Sequence, residues 1–409
     1  MIDLRSLRRR SMAALLGFVA IVALSPAAQA QFGGRGFRDI AQPDVDRMQI
    51  DIIAEMLSFS EDQVELAYEL HTGYLAEMTE LEEVVRGIMD GVRQEFRETR
   101  DPSVWQEMMG AMEPLREDKD QYTESFMEDL QLILNEDQFA EWDEVERFHR
   151  RYTSFSDDGM LSGETVDVIM AVRDMDLPEE DMAALKPILN QYSIELDRAL
   201  KSRNEAYEEG MSQGMALWRS NDMEKMQELW EDAKGHAERV RDLNRRFAKQ
   251  VEAALDPAFA GEWQREFKEQ SFPRVYRPTF TARSLTAAEK ITTLSPEQTE
   301  QIEAIVGEYH NRIDSMNDEI AKLVEKSEME RDISSMMGRR GRGGAEQDEA
   351  RNARGEKSDY EAAVLERVRN LLTEEQRQML PEREDNRDWR ERLPNRDRGG
   401  NRARPSREF

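Results

Sequence analysis

One pentapeptide pattern recurs six times in a single register, and that repetition constrains the fold more than any other feature of the chain. An opening signature reads Phe59-Ser60-Glu61-Asp62-Gln63, Leu177-Pro178-Glu179-Glu180-Asp181 and Leu294-Ser295-Pro296-Glu297-Gln298, with starts 118 and 117 residues apart. A closing signature reads Leu134-Asn135-Glu136-Asp137-Gln138, Leu255-Asp256-Pro257-Ala258-Phe259 and Leu372-Thr373-Glu374-Glu375-Gln376, following its opening partner by 75, 78 and 78 residues. Eleven residues after each opening signature stands a tyrosine: Tyr74, Tyr192 or Tyr309. Eight residues after each closing leucine stands Trp142, Trp263 or Leu380. A period of this kind predicts a threefold tandem repeat.

The signature is helix-capping chemistry. A Ser, Thr, Asn or Asp before a helix accepts hydrogen bonds from the first unpaired amides, and a Gln three residues on can reach back to the cap's own N–H. Ser60/Gln63, Asn135/Gln138, Ser295/Gln298 and Thr373/Gln376 all fit such a box. Pro257 and Pro296 fall at a first helical position, where a missing N–H does no harm. The preceding apolar residue is expected to staple onto the helix: Phe59 on Val64, Leu134 on Phe139, Leu177 on Met182. The second repeat departs from the box at Pro178, Asp181 and Phe259, so its ends should be less well capped.

Between signatures the apolar spacing is three and four residues, as for amphipathic helices, with few strand formers. The expected fold class is all-α, built from tandem long α-helical hairpins. Tip breaks are expected at Asp101-Pro102, around Gly210 to Asn221, and at Gly338 to Gly344. The expected organisation is a signal peptide at 1–30, a flexible N-terminus at 31–46, and helical hairpins at 47–152, 165–269 and 285–381. Linkers fall at 153–164 and 270–284, and a disordered mixed-charge tail at 382–409.

These signatures resemble the LTxxQ-motif family of periplasmic proteins, the Spy/CpxP-like proteins. Leu372 to Gln376 matches that motif in full, Leu294 to Gln298 with serine, Leu134 to Gln138 with asparagine, and Phe59 to Gln63 loosely. The resemblance implies an α-hairpin cradle, usually a dimer of such units, that acts without ATP as a chaperone or stress regulator. Family members generally carry one unit and a basic cradle, whereas this chain has three units and an acidic body.

Export is expected from the first thirty residues. Arginines at 5, 8, 9 and 10 precede an apolar run from Met12 to Leu24, and Ala28-Gln29-Ala30 supplies a cleavage site. That run is too short for a membrane span, which needs roughly 20 apolar residues. The expected location is periplasmic or secreted, with cleavage after Ala30 and no membrane span in the mature chain. The 409 residues contain no cysteine, which excludes disulfides, thiol nucleophiles and cysteine metal sites. A formal charge of −29 argues against nucleic acid as a partner.

Methionine numbers 23 and gathers near the expected tips. Met108, Met109 and Met112 lie near the first, Met211, Met215, Met223 and Met226 near the second, and Met329, Met336 and Met337 near the third. Flexible thioethers suit surfaces that accept varied apolar partners, so these ten are the candidate client-binding residues; the same spacing suits ordinary core stripes equally. His71 and His149 would form a zinc-sensor-like pair if their helices adjoin, yet the four histidines show no ligand spacing. No metal, cofactor or catalytic residue is expected, and the carboxylate pairs read as solvated faces. The expected function is an exported, non-enzymatic protein that binds unfolded or envelope proteins, as an ATP-independent periplasmic chaperone or stress-response factor. The alternatives are a periplasmic metal or stress sensor module, or a structural envelope protein.

Overall fold

The computed structural model describes residues 40–382 apart from 41, 102–103, 156–158, 221 and 334–344. The signal peptide expected at 1–30 and the tail beyond Glu382 lie outside the described residues. Every regular element among the described residues is an α-helix, so the fold is all-α.

The first span holds α1 (Arg47–Met56), α2 (Glu61–Thr99), α3 (Val104–Leu132), α4 (Glu136–Ala140) and α5 (Trp142–Ser154). The second holds α6 (Val168–Arg173), α7 (Glu179–Ser220), α8 (Met223–Ala254) and α9 (Pro257–Ser271). After the short α10 (Pro273–Tyr276), the third holds α11 (Phe280–Glu289), α12 (Pro296–Met329), α13 (Ala345–Leu371) and α14 (Glu374–Arg377). None of these is long and apolar enough to cross a membrane. The described residues divide into two compact units, one of 40–276 with 321–348 and one of 277–320 with 349–382.

Each long opening helix begins at its signature. Ser60 accepts from the Gln63 amide at 3.3 Å while Gln63 Oε1 accepts from the Ser60 amide at 3.0 Å. The same reciprocal pair occurs at Asn135/Gln138, Ser295/Gln298 and Thr373/Gln376. In the second span Asp256 caps α9 through the Ala258 amide, and Pro257 opens that helix. Leu177 and Met182 both join the second core, and Phe59 and Leu134 pack on the first; Phe139 instead stands half exposed.

A short helix precedes each long one, and the sequence pattern did not separate it. Asp46, Asp167 and Thr279 cap α1, α6 and α11 through side-chain oxygens. Residues 31–46 read as flexible, yet Ile40 and Val45 are buried in the first core. The Asp44 carboxylate holds the Lys119 ammonium at 2.7 Å, which ties that stretch to α3. The segments read as linkers are likewise built in: α5 runs to Ser154, Glu164 is fully buried, and α10 and α11 occupy most of 273–284.

The first tip turns where α2 ends on Arg100, in the left-handed region at φ 56°. In the second span α7 continues without a break through Gly210 and Gly214 to Ser220, and α8 opens at Met223. Neither glycine faces another group that a side chain would disturb. They weaken the helix slightly without ending it. Met337 and the Gly338–Gly344 loop lie outside the described residues.

Candidate functional site

The six signatures do more than start helices. Gln63 Nε2 donates to the Ile133 carbonyl at 2.7 Å and to Gln138 Oε1 at 2.7 Å, while Gln138 Nε2 donates to the Leu57 carbonyl at 3.0 Å. Each glutamine therefore caps its own helix with its oxygen and fastens the opposite chain with its nitrogen. The third span repeats the clasp: Gln298 Nε2 reaches the Leu371 carbonyl at 2.6 Å and Gln376 Nε2 the Thr293 carbonyl at 2.8 Å. In both spans the start of the outgoing helix is bonded to the end of the returning one, so the two run antiparallel. The second span has no glutamine at either place. There the Asp256 amide donates to Asp181 Oδ1 at 3.3 Å.

The three tyrosines occupy like surroundings. Each ring is buried, and each hydroxyl meets the entry of the short preceding helix and a polar group 49 to 52 residues on. Tyr74 accepts from the Asp44 amide and pairs with Thr123 Oγ1 at 3.2 Å. Tyr192 accepts from the Val168 amide and meets Asn244 Oδ1 at 2.9 Å. Tyr309 donates to Glu361 Oε1, which also accepts from Thr279 Oγ1. Burial pushes all three hydroxyls above their ordinary pKa, so they stay protonated donors.

The methionines divide. Met108, Met112 and Met226 are buried; Met211 and Met223 are half-buried. Met329 is exposed, and its sulfur accepts from Arg241 Nη1 at 3.3 Å. Met109 and Met215 lie in helices whose side chains there, like Met336 and Met337 entirely, lie outside the described residues. Met108 and Met112 belong to the first core, four residues apart on its inward face, and Met226 packs with Trp230.

His71 and His149 engage different partners. His71 is buried with Nε2 3.1 Å from the Val45 carbonyl, and His149 Nδ1 lies 3.1 Å from Gln49 Oε1. No group of three or more potential ligands is placed to hold a metal ion among the described residues.

Two features escape the sequence pattern. The first is a group of exposed apolar side chains at the clasped end of the first span. Met56 (37% exposed), Leu132 (82%) and Phe139 (55%) are the chain neighbours of Leu57, Ile133 and Gln138, all members of the clasp. The second is a cleft of about 570 Å³ walled by α3, α5 and α7. Its walls carry Glu124, Glu128, Glu146, Glu205 and Glu208, with Trp142 and Met127 among them.

A polar seam joins two of the cleft's walls, α5 and α7. Ser193 Oγ donates to Glu144 Oε1 at 2.7 Å, Arg150 Nε to Asp197 Oδ1 at 2.7 Å, and Arg203 Nη2 to the Ser154 carbonyl at 3.0 Å. Burial raises the Asp197 pKa, but hydrogen bonds from Lys201 and Arg150 outweigh it and hold the carboxyl below its ordinary value. Only the acidic count of the chain hinted at the cleft, because its walls come from three separate helices, the last of them in the second span.

The chain matches no protein-family model, no curated protein and no solved structure.

Proposed function

We propose that this chain is an exported, non-enzymatic helical protein that binds other proteins of the cell envelope, as an ATP-independent periplasmic chaperone or stress-response factor. The observation that carries the reading is the exposed group of Met56, Leu132 and Phe139 around the first clasp. Exposed apolar side chains gathered in one place mark interaction surfaces, whereas scattered ones need no explanation. The clasp beneath them is tied by hydrogen bonds from both glutamine side chains, which fixes the backbone that carries these residues. Met108, Met112 and Met226 are packed in cores and are not counted in this surface, whereas Met211, Met223 and Met329 stay partly open.

An aggregation assay with a chemically unfolded model client tests this. The purified chain should delay light scattering at near-stoichiometric ratios. Leu132→Ser with Phe139→Ser should remove most of the delay while leaving the melting temperature within a few degrees, since both side chains are already exposed. A wild-type chain that leaves scattering unchanged sinks the proposal.

A further inference from the structure

We propose that one face of α8 is a polypeptide-binding groove, filled here by the chain's own residues 329–333. When that strap withdraws, the groove takes a non-helical segment of another polypeptide that carries an aliphatic side chain. This deepens the protein-binding reading and rests on it, but it names a different surface and what that surface reads.

The bonds across the groove give the first argument. Residues 321–348 belong to the same compact unit as the second span. Gln227, Trp230 and Lys234 lie three and four residues apart, so they share one face of α8. Trp230 Nε1 donates to the Arg331 carbonyl at 3.2 Å, Gln227 Oε1 accepts from the Ile333 amide at 3.1 Å, and Lys234 Nζ donates to the Met329 carbonyl. All three side chains hold main-chain groups. Helix α12 ends at Met329, and the carbonyls at and beyond a helix end have no partner within it. The Ile333 side chain, 3% exposed, packs among Met160, Leu161, Met226 and Trp230. Backbone groups are common to every sequence, and thioethers adapt to varied aliphatic shapes. The face therefore reads a stretch of open backbone and one aliphatic side chain, whatever the rest of the sequence. A folded polypeptide spends those backbone groups on its own helices and strands, whereas an unfolded one leaves them open.

The second argument is that the second span closes without the strap. Its main core draws on residues from Phe155 to Phe267 and on none of 321–348. The strap is held further by Ser162, whose amide and hydroxyl donate to Glu328 at 2.9 and 2.7 Å, and by Arg241, which donates to the Met329 sulfur at 3.3 Å. Burial pushes the Glu328 carboxyl above its ordinary pKa despite both bonds from Ser162, so desolvation opposes its seating. A tethered segment competes at an effective concentration on the order of millimolar, so the strap fills the groove until something weakens it.

A saturation-transfer NMR titration on the full chain tests this with an end-capped Ala/Ser peptide carrying one Ile. Ile333→Ser should raise the peptide's affinity about tenfold over the wild-type chain, where the strap competes. Glu328→Ala, which frees the strap at Ser162 and leaves the apolar pocket intact, should raise it about threefold and keeps the test open if Ile333→Ser disturbs folding. Replacing the peptide's Ile by Ser, or methylating that residue's backbone nitrogen, should each abolish the gain. Gln227→Leu added to either strap variant should weaken binding several-fold, because leucine cannot accept an amide. Strap variants that stay folded by circular dichroism and bind no better than the wild type would make the strap a structural staple and overturn the proposal. A gain that survives methylation would overturn the backbone reading. Concentration-dependent dimers of the wild type that Ile333→Ser abolishes would give the groove to the strap of a second copy and overturn its assignment to other polypeptides. Leu132→Ser with Phe139→Ser should leave peptide binding unchanged. The titration needs no aggregating client, so failure here and failure of the chaperone reading are distinguishable.

Discussion

The first and second spans solve the same problem, fastening an outgoing helix to a returning one, with different chemistry. In the first, two glutamine amides at the clasped end satisfy each other, two helix caps and two carbonyls. In the second, the hydrogen bond across that end among the described residues is the exposed one from the Asp256 amide to Asp181, and the polar fastening lies further along the helices. Asn244 Nδ2 donates to the Gly163 and Glu164 carbonyls, and Glu164 accepts from Arg203 Nη1 and the Tyr207 hydroxyl, both at 2.9 Å. Amides pair without charge and tolerate partial exposure. A buried carboxylate and guanidinium must hold each other wholly, because each is costly alone.

The largest effect should follow from breaking the charged fastening. Glu164 is fully buried, and Arg203 is nearly so. Glu164→Ala would leave that guanidinium uncompensated and strand the Leu161 amide, which donates to Glu164 Oε2 at 3.1 Å. A loss of ~3–5 kcal/mol is expected. Hydrogen exchange should show it first in α7 and α8, while amides at the first clasp keep their protection. A loss below ~1 kcal/mol would remove the distinction between the two fastenings.

The amide clasp should cost less to break, and its cost should be shared between partners. Gln138→Leu strands the Leu57 carbonyl, the Asn135 amide and one bond of Gln63, for ~2–3 kcal/mol in urea denaturation. Asp181→Leu, at the matching place in the second span, loses one exposed hydrogen bond and should cost no more than ~0.5 kcal/mol. A double-mutant cycle on Gln63 and Gln138 should give a coupling of ~0.5–3 kcal/mol. Independent effects at the two glutamines would mean two isolated caps and no clasp.

Local chemistry was legible in the sequence, and long-range pairing was not. The capping boxes could be read because Ser60 and Gln63 lie three residues apart, where geometry is fixed by the helix itself. The clasp joins Gln63 to Gln138 across 75 residues. Only the recurrence of glutamine in both signatures hinted at it. Met108 and Met112 have a spacing that suits an inward and an outward stripe alike, and burial in the first core was settled by the opposing helix. The 153–164 stretch has the Gly, Ser and Asp of a loop. Its buried Glu164 depends on Arg203, 39 residues away, which no local pattern announces. The cleft was the least legible feature, since unpaired glutamates look like any solvated face until three helices enclose them.

A smaller and more selective effect than breaking either fastening should come from acid, because carboxylates titrate and amides do not. Asp197 has a folded pKa below the ordinary 3.8, held there against burial by Lys201 and Arg150. A depressed carboxylate contributes stability that is complete above the unfolded pKa and is lost as pH falls through the folded value. The seam between α5 and α7 should therefore be intact at pH 5 and above and weaken below about pH 3.8, by on the order of 1 kcal/mol for pairs this exposed. Asp197→Asn should be less stable at neutral pH and should lose less on acidification than the wild type. Hydrogen exchange at matched intrinsic rates would show protection falling at α5 and α7 between pH 5 and pH 3, with the amides around Gln63 and Gln138 unchanged. Equal losses at the clasps and the seam would show that acid acts through the net charge of the whole chain, and that the two fastenings respond alike.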